Sequence, residues 1–252
     1  MLKITDLSKR YEDGNLALDN LCLEIRRGKI FTLLGANGAG KSTAINIICG
    51  FIPPTGGDVW VDEISLSENP LLLRCKIAYL SENVMLYDNF TGYQNLKFFA
   101  DISKIPATKG NKATNPAMKF NLIKVLRDVG LQDEFIHENI SKYSKGMRQK
   151  IGIAIALVKD APMLLLDEPF SGLDPKASHD FQALLYKLRN DGKTILMSTH
   201  DIFRAKEMAD VVGIMQGGKL VMTKTRTELE SEDLNRIYLD YIEERVVMEN
   251  EE

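Results

Sequence analysis

A glycine-rich loop at residues 35–43, GANGAGKST, constrains the fold most, because it lies between a predicted buried strand (29–34) and a predicted helix (42–49). It fits the pattern G-x-x-x-x-G-K-[ST], in which consecutive backbone N–H groups wrap phosphate groups. Its glycines allow backbone angles and close approaches that a Cβ would block. The spacing is not G-x-G-x-x-G, so the loop does not predict a dinucleotide site. Strand, loop and helix together predict an anion site at a helix N-terminus.

The loop and a distant acidic pair predict binding of a nucleoside triphosphate with Mg²⁺. Lys41 would reach the terminal phosphates, and the Ser42 hydroxyl would bind the metal. Asp167 and Glu168 follow an apolar run, 163–166, at the carboxyl end of a predicted strand, where α/β proteins place their sites. Asp167 is suited to orient hydrated Mg²⁺ and Glu168 to polarise the attacking water, although two solvated acids are the alternative for this pair alone. The loop residues predicted to bind the nucleotide are Gly35, Ala36, Asn37, Gly38, Ala39, Gly40, Lys41, Ser42 and Thr43.

The order of predicted elements indicates an α/β fold. Apolar strands alternate with helical segments, which predicts a mostly parallel sheet with crossover helices. Residues 87–159 have helical spacing and enclose a polar predicted loop at 105–115, so we expect a helical lobe inserted midway. A helix is predicted after Asp174, which is suited to cap it. The clearest strands are 59–61, 77–80, 163–167 and 194–198.

Composition indicates the cell compartment and the kinds of partner to expect for this chain. The 252 residues carry a formal net charge of −3, which gives no indication of a nucleic-acid partner. Cys22, Cys49 and Cys75 are widely separated and odd in number, which favours a reduced, cytoplasmic protein without a metal knuckle. The first residues lack the apolar region of a secretory signal, and no stretch approaches the ~18 apolar residues of a spanning helix. We expect a chain that cannot cross a bilayer alone but can act on one.

A third motif indicates the class of protein. Residues 143–150, YSKGMRQK, precede an apolar predicted helix at 151–158 and resemble the signature of ATP-binding-cassette (ABC) ATPases. Residues 171–174, SGLD, resemble the D-loop of that family, and His200 in STHD resembles its switch histidine. Tyr11 falls where such proteins stack an aromatic ring on adenine. The resemblance covers residues 2–225 with all motifs in order.

The resemblance implies a P-loop NTPase core with a mostly parallel sheet, an N-terminal antiparallel β subdomain and an inserted α-helical subdomain. It also implies a head-to-tail homodimer with two ATP molecules at the interface. Ser144 and Gly146 at a helix start, with Asp174 of the D-loop, would then complete the neighbouring subunit's site. An ordinary Ser N-cap is the alternative for Ser144. His200 would contact the γ-phosphate, although a core or surface histidine is commoner.

Two departures from the commonest family pattern narrow the subclass. Glu82 stands where Gln is usual and can still ligate Mg²⁺. Lys145 and Met147 replace a glycine and a glutamine of the signature. This combination resembles the branch that powers exporters, so we expect an ATPase subunit that drives a separate transmembrane permease, received in a groove near Met85, Leu86 and Tyr87. A soluble regulatory module with slow or no hydrolysis is the alternative.

The expected ABC ATPase domain covers residues 1–225, with its core at about 1–86 and 160–225 and the helical insert at about 87–159. Residues 226–252 are expected to form a C-terminal amphipathic helix and an acidic tail. That helix would dock on its own domain or bind a partner. The chain is expected to lie on the inner face of the cell membrane, bound to its permease. The apolar positions that predict the helix are Leu234, Ile237, Tyr238, Tyr241 and Ile242.

Overall fold

The computed structural model describes residues 1–103 and 120–231. The polar loop predicted at 105–115 lies outside these residues, and so do positions 234–242, whose spacing predicts the amphipathic helix of 226–252. Two β-sheets and a group of helices make up the described chain. The α/β class expected from the sequence is confirmed, with an antiparallel N-terminal sheet beside a mostly parallel one.

The first sheet is antiparallel, with the strand order β2-β1-β4-β5. Its strands alternate buried apolar and exposed polar residues, as half-buried strands do. The sequence predicts a strand only for 59–61, but β4 begins at Gly56, because the backbone of 56–58 pairs with β1 across an irregular register. The strands are β1 (Leu2–Arg10), β2 (Leu16–Ile25), β4 (Gly56–Val61) and β5 (Ile64–Ser65).

The second sheet has the strand order β10-β9-β3-β8-β7-β6, and only the β9–β10 pair is antiparallel. Its register places Leu34 opposite Thr199 and Asp167 opposite Ser198. The carboxyl ends of β3, β7 and β8 therefore meet at one edge, where the glycine-rich loop begins. The strands are β3 (Ile30–Leu34), β6 (Ile77–Leu80), β7 (Met163–Asp167), β8 (Thr194–Thr199), β9 (Val211–Gln216) and β10 (Lys219–Thr225).

The helices connect these strands, and among the described residues the helices α3 to α6 lie in sequence between β6 and β7. Helix α6 begins at Lys145, at the helix start expected for Ser144 and Gly146, and the predicted apolar helix 151–158 is its later part. The Ser144 hydroxyl caps the helix by accepting from Met147 N. A 3₁₀ turn covers Ile140–Lys142. The helices are α1 (Lys41–Ile48), α2 (Pro70–Cys75), α3 (Gly92–Ile102), α4 (Leu122–Asp128), α5 (Asp133–Ile136), α6 (Lys145–Val158), α7 (Pro175–Asn190), α8 (Ile202–Met208) and α9 (Arg226–Ser231).

The parallel sheet separates two hydrophobic clusters. Along β7, Leu164 and Leu166 pack with the residues of α3, α4 and α6, whereas Leu165 packs with α1 and the antiparallel sheet. This alternation follows from the two-residue period of a strand. Because both faces of β7 are buried, the position of the acidic pair at its end is fixed from both sides.

Candidate nucleotide site

The glycine-rich loop turns sharply into α1. Gly40 has φ +100°, in the left-handed region that favours glycine. A Cβ at Gly40 would lie 2.5 Å from the carbonyl oxygen of Ala17 on β2. Gly35 is also confined, since its Cβ would lie 2.5 Å from the carbonyl oxygen of Met215. The loop backbone therefore lies so close to β2 and β9 that neither position has room for a side chain.

Lys41 is held by the loop that it follows. Its side chain is 6% exposed, and Nζ donates to the carbonyl oxygens of Gly35 at 2.6 Å and Ala36 at 3.0 Å. Burial lowers the pKa of Lys41, while the charges of Glu168 and Asp167 oppose that shift. Glu168 Oε1 lies 4.0 Å from Nζ. The ammonium thus lies between loop carbonyls and the acidic pair, where an incoming phosphate can bind it.

Two serine hydroxyls donate hydrogen bonds to Asp167. Ser42 donates to its Oδ1 at 3.3 Å, and Ser198 donates to the same oxygen at 2.5 Å. The Ser198 hydroxyl also accepts from the backbone N–H of Glu168 at 3.0 Å. Ser198 therefore fixes both members of the acidic pair.

Glu168 is held in an unusual backbone conformation. Its φ is +46°, which is uncommon for a residue with a side chain and concentrates at functional sites. Its Oε1 lies 3.0 Å from His200 Nδ1. The carboxylate is largely buried, with 16% of its side chain exposed, while that of His200 is 59% exposed. The carboxylate lies between the imidazole and the Lys41 ammonium, so it can hold a water beside a bound phosphate.

One cavity, which we call the phosphate cavity, is lined by Gly40, Lys41, Ser42, Asp167 and Glu168. Ser198 and His200, the residue predicted to contact the γ-phosphate, are not among the described residues that line it. Its volume is about 400 Å³, within the range of ~300–1,000 Å³ typical of small-molecule sites. Of the predicted loop, Gly35, Ala36 and Ala39 do not line it; the first two instead present carbonyls to Lys41. The predicted residues that line it are Tyr11, Asn37, Gly38, Gly40, Lys41, Ser42, Thr43, Glu82, Asp167 and Glu168.

Ser144, Gly146 and Asp174 line a second cavity, the signature cavity, where α6 and α7 begin. Ser144 is the N-cap of α6, which is the alternative interpretation given for it above. Asp174 caps α7 by accepting from Ala177 N at 2.8 Å. A Cβ at Gly146 would lie 3.0 Å from Ala177 Cβ, so the glycine lets the two helix starts pack closely. Among the described residues, the two cavities share no lining residue.

Comparison with known proteins identifies the family. The sequence profile of the ABC transporter family matches residues 18–171, more than half of the chain. The chain belongs to the ABC transporter family. It is 34% identical over 242 residues to the bacitracin transport ATP-binding protein of Enterococcus faecalis, covering 96% of this chain and 74% of the relative. The family resemblance inferred from the sequence is confirmed, and the chain is an ATP-binding subunit and an ATPase.

A second relative and a solved structure extend this comparison. The chain is 32% identical over 252 residues to the glycine betaine/carnitine/choline transport ATP-binding protein of Bacillus subtilis; the match covers 98% of this chain but 64% of the relative, less than two thirds of its length. A dimeric ATP-binding cassette in a post-hydrolysis state, bound to ADP and Pi, superposes with a TM-score of 0.76 at 29% identity. That match covers 90% of this chain and 99% of the solved chain.

The structure adds residues to the ABC ATPase site that sequence reasoning missed. Asn15, Leu16, Ala17 and Gly217 line the phosphate cavity near Tyr11, and nothing in the sequence indicates their approach. Tyr11 itself is 38% exposed, and its ring lies 5.4 Å from Lys9 Nζ. Ser198 carries a usable signal, since it is a polar residue at the end of an otherwise apolar strand.

Clustered metal ligands and membrane-spanning helices are both absent from the described residues of this ABC ATPase. Within residues 1–103 and 120–231, no three His, Cys, Asp or Glu side chains come together as a metal site. In the part of the chain that the structure describes, none of the helices has the length and apolarity that crossing a membrane requires. Cys22, Cys49 and Cys75 are all free thiols.

Proposed function

We propose that two copies of this chain bind two ATP molecules head to tail and use their hydrolysis to drive a separate transmembrane permease. One observation carries the proposal. The phosphate cavity and the signature cavity share no residue among those described, although both expose helix N-termini and hydroxyls suited to a phosphate. A single copy therefore offers each ATP half of a site, and a second copy supplies the other half. The dimeric cassette that superposes on the chain supports the same arrangement.

The donor set fits Mg²⁺. Ser42 Oγ lies 3.3 Å from Asp167 Oδ1, and Glu82 lines the same cavity. All three supply oxygen, the atom Mg²⁺ prefers, and a site with one or two carboxylates completed by phosphate and water is usual for this metal. Bound there, Mg²⁺ would neutralise charge that develops on the phosphate oxygens.

Glu168 is the proposed general base. Its carboxylate would accept a proton from water as that water attacks the γ-phosphate in line. Lys41 would leave its loop carbonyls and bind the terminal phosphates, and His200 would hold the γ-phosphate. Tyr11 would stack on adenine at the far end of the cavity, while the partner copy's Ser144 and Gly146 N–H groups would face the γ-phosphate.

The permease is proposed to dock at an exposed apolar segment after β6. Met85 is 82% exposed and Tyr87 49% exposed, while Leu86 between them packs on the core. Exposed apolar side chains of this size mark interaction surfaces when they cluster. Docking there would hold the chain on the inner face of the cell membrane. The ATPase domain would extend over 1–225, with the helical insert at about 87–159, and 226–252 would form the appended helix and tail.

Export is the proposed direction, supported by Glu82 with the YSKGM signature and by the relative named for bacitracin transport. Import is a second candidate, because one relative is named for transport of glycine betaine, carnitine and choline. Reconstitution of the co-purified permease with this chain in vesicles separates the two: cargo leaves the compartment that holds the ATPase in export and enters it in import.

Replacing Glu168 with Gln tests the assigned chemistry. We expect turnover to fall by at least ~100-fold with ATP binding retained, because the amide cannot accept the proton. A matched control is Glu138→Gln, which removes a surface carboxylate paired with Lys142. Unchanged turnover in Glu168→Gln would contradict its role. A chain that binds ATP but does not hydrolyse it, even with permease present, would instead be the regulatory module.

Mixing two inactive variants tests the shared site. Lys41→Met damages the phosphate cavity, and Ser144→Arg damages the signature cavity. Each alone should be inactive, yet an equal mixture should recover about a quarter of the wild-type rate, because half of the dimers are mixed and each mixed dimer has one intact site. Failure of the mixture to recover any activity, with mixed dimers present, would exclude the head-to-tail arrangement.

A further inference from the structure

Glu82 and Lys145, the two charged departures from the commonest family pattern, meet in the fold. Glu82 follows β6 and Lys145 begins α6, but Lys145 Nζ lies 3.8 Å from Glu82 Oε1. Both side chains are partly exposed, at 32% for the lysine and 46% for the glutamate. A neutral Gln and a Gly at these positions could not form this ion pair.

Two residues of the D-loop (171–174) contact this ion pair. The Ser171 hydroxyl donates to the same Glu82 oxygen at 2.7 Å. Gly172, with φ +67°, lies beneath the lysine, since a Cβ there would be 3.3 Å from both Cδ and Nζ of Lys145. Glu82 Oε1 therefore accepts a hydrogen bond from the D-loop and also faces the Lys145 ammonium.

The location of Glu82 gives the pair a function. Glu82 lines the phosphate cavity together with Asp167 and Glu168, so a third carboxylate faces the space for a triphosphate. Uncompensated, that charge would repel the nucleotide. We propose that Lys145 is a positioning residue for ATP binding: with Ser171, it holds Glu82 against the D-loop and offsets its charge until Mg²⁺ arrives.

This assignment also links the two cavities of one chain. Lys145 directly follows Ser144, which lines the signature cavity. If Glu82 ligated Mg²⁺, the metal would compete with Lys145 for the carboxylate and weaken the ion pair. This step rests on the proposed function; the nucleotide-free ion pair does not.

Zero-length cross-linking tests the pair directly. A carbodiimide activates a carboxylate, and a neighbouring amine attacks it to form an amide, with release of the urea. In the full-length, nucleotide-free chain, we expect peptide mass spectrometry of the monomer band to find Glu82 joined to Lys145. The Glu138–Lys142 pair, 2.5 Å apart, is the internal control and should cross-link with and without MgATP. MgATP should reduce the Glu82–Lys145 product at least ~3-fold, because Mg²⁺ would compete with Lys145 for the Glu82 carboxylate.

Two results would overturn the proposal in this experiment. One is absence of the Glu82–Lys145 product from the nucleotide-free chain while the Glu138–Lys142 product forms. The other is a product that persists unchanged with MgATP in protein shown to bind it, because the pair would then be a static brace.

ATP binding without metal gives an independent readout. By calorimetry in EDTA, Lys145→Met should weaken ATP binding about two- to fivefold, the range expected for a partly exposed ion pair, and Lys145→Arg should restore most of it. In the Glu82→Gln background, Lys145→Met should change nothing, because no charge is left to offset. Lys142→Met is the matched control. An equal loss of affinity in both backgrounds would show that Lys145 acts on ATP without Glu82 and would refute the positioning role. The turnover of Glu168→Gln, in contrast, tests only the proposed function.

Discussion

Ser198 donates a hydrogen bond to Asp167 across the β7–β8 pair, with 2.5 Å between Ser198 Oγ and Asp167 Oδ1. The same hydroxyl accepts from the N–H of Glu168, so one buried serine holds the proposed metal ligand and the backbone of the proposed base. It touches neither nucleotide nor metal in the proposed mechanism. Its effect is to fix two groups whose positions decide the reaction geometry.

Ser198→Ala should therefore reduce kcat without a matching loss of ATP binding. We expect kcat to fall about tenfold, corresponding to loss of one hydrogen bond to a charged group, and the Kd for ATP to change by less than about twofold. Steady-state hydrolysis and calorimetry measure the two quantities. Ser178→Ala on α7 is the control, because Ser178 is also buried and lies outside the phosphate cavity. Equal losses of kcat and affinity would contradict the assignment.

Two glycines of the loop should respond differently to alanine. At Gly38, with φ +83°, a Cβ would meet no described atom within 4 Å beyond its own chain neighbours. At Gly40, with φ +100°, a Cβ would lie 2.5 Å from Ala17 O. Gly38→Ala should lower the free energy of unfolding by about 1 kcal/mol through backbone strain alone. Gly40→Ala should lower it by at least ~3 kcal/mol, because the sheet or the loop must also move. Urea unfolding of the nucleotide-free chain measures both, and equal losses would refute the steric argument.

The cysteines should differ in reactivity with pH. Burial raises the pKa of the Cys49 thiol to about 12, and only 4% of the residue is exposed, while Cys22 is exposed. Iodoacetamide at pH 9 should alkylate Cys22 and leave Cys49 unmodified until the chain is unfolded in urea. Peptide mass spectrometry reads out each site. Rapid alkylation of Cys49 in the folded chain would show that the α1 C-terminus opens.

The raised pKa of Cys49 makes the stability of the folded chain depend on pH. Because the folded chain holds the Cys49 proton more tightly than the unfolded chain, the thiol contributes stability that is fully present below its unfolded pKa of 9.0. That contribution is lost as the pH rises from 9 toward 12. Cys49→Ala should flatten this part of the dependence of unfolding free energy on pH.

Short-range sequence patterns are enough to predict the local parts of the site. The glycines of the loop, the caps at Ser144 and Asp174 and the buried strand before Asp167 act within a few residues of themselves, so their patterns predict their structure. The contacts between residues distant in sequence depend on the fold. Strand order and register bring Ser198 to Asp167, and the packing of α6 on the sheet brings Lys145 to Glu82. Such contacts depend on which strands become neighbours and in which register, and no short-range pattern encodes that choice.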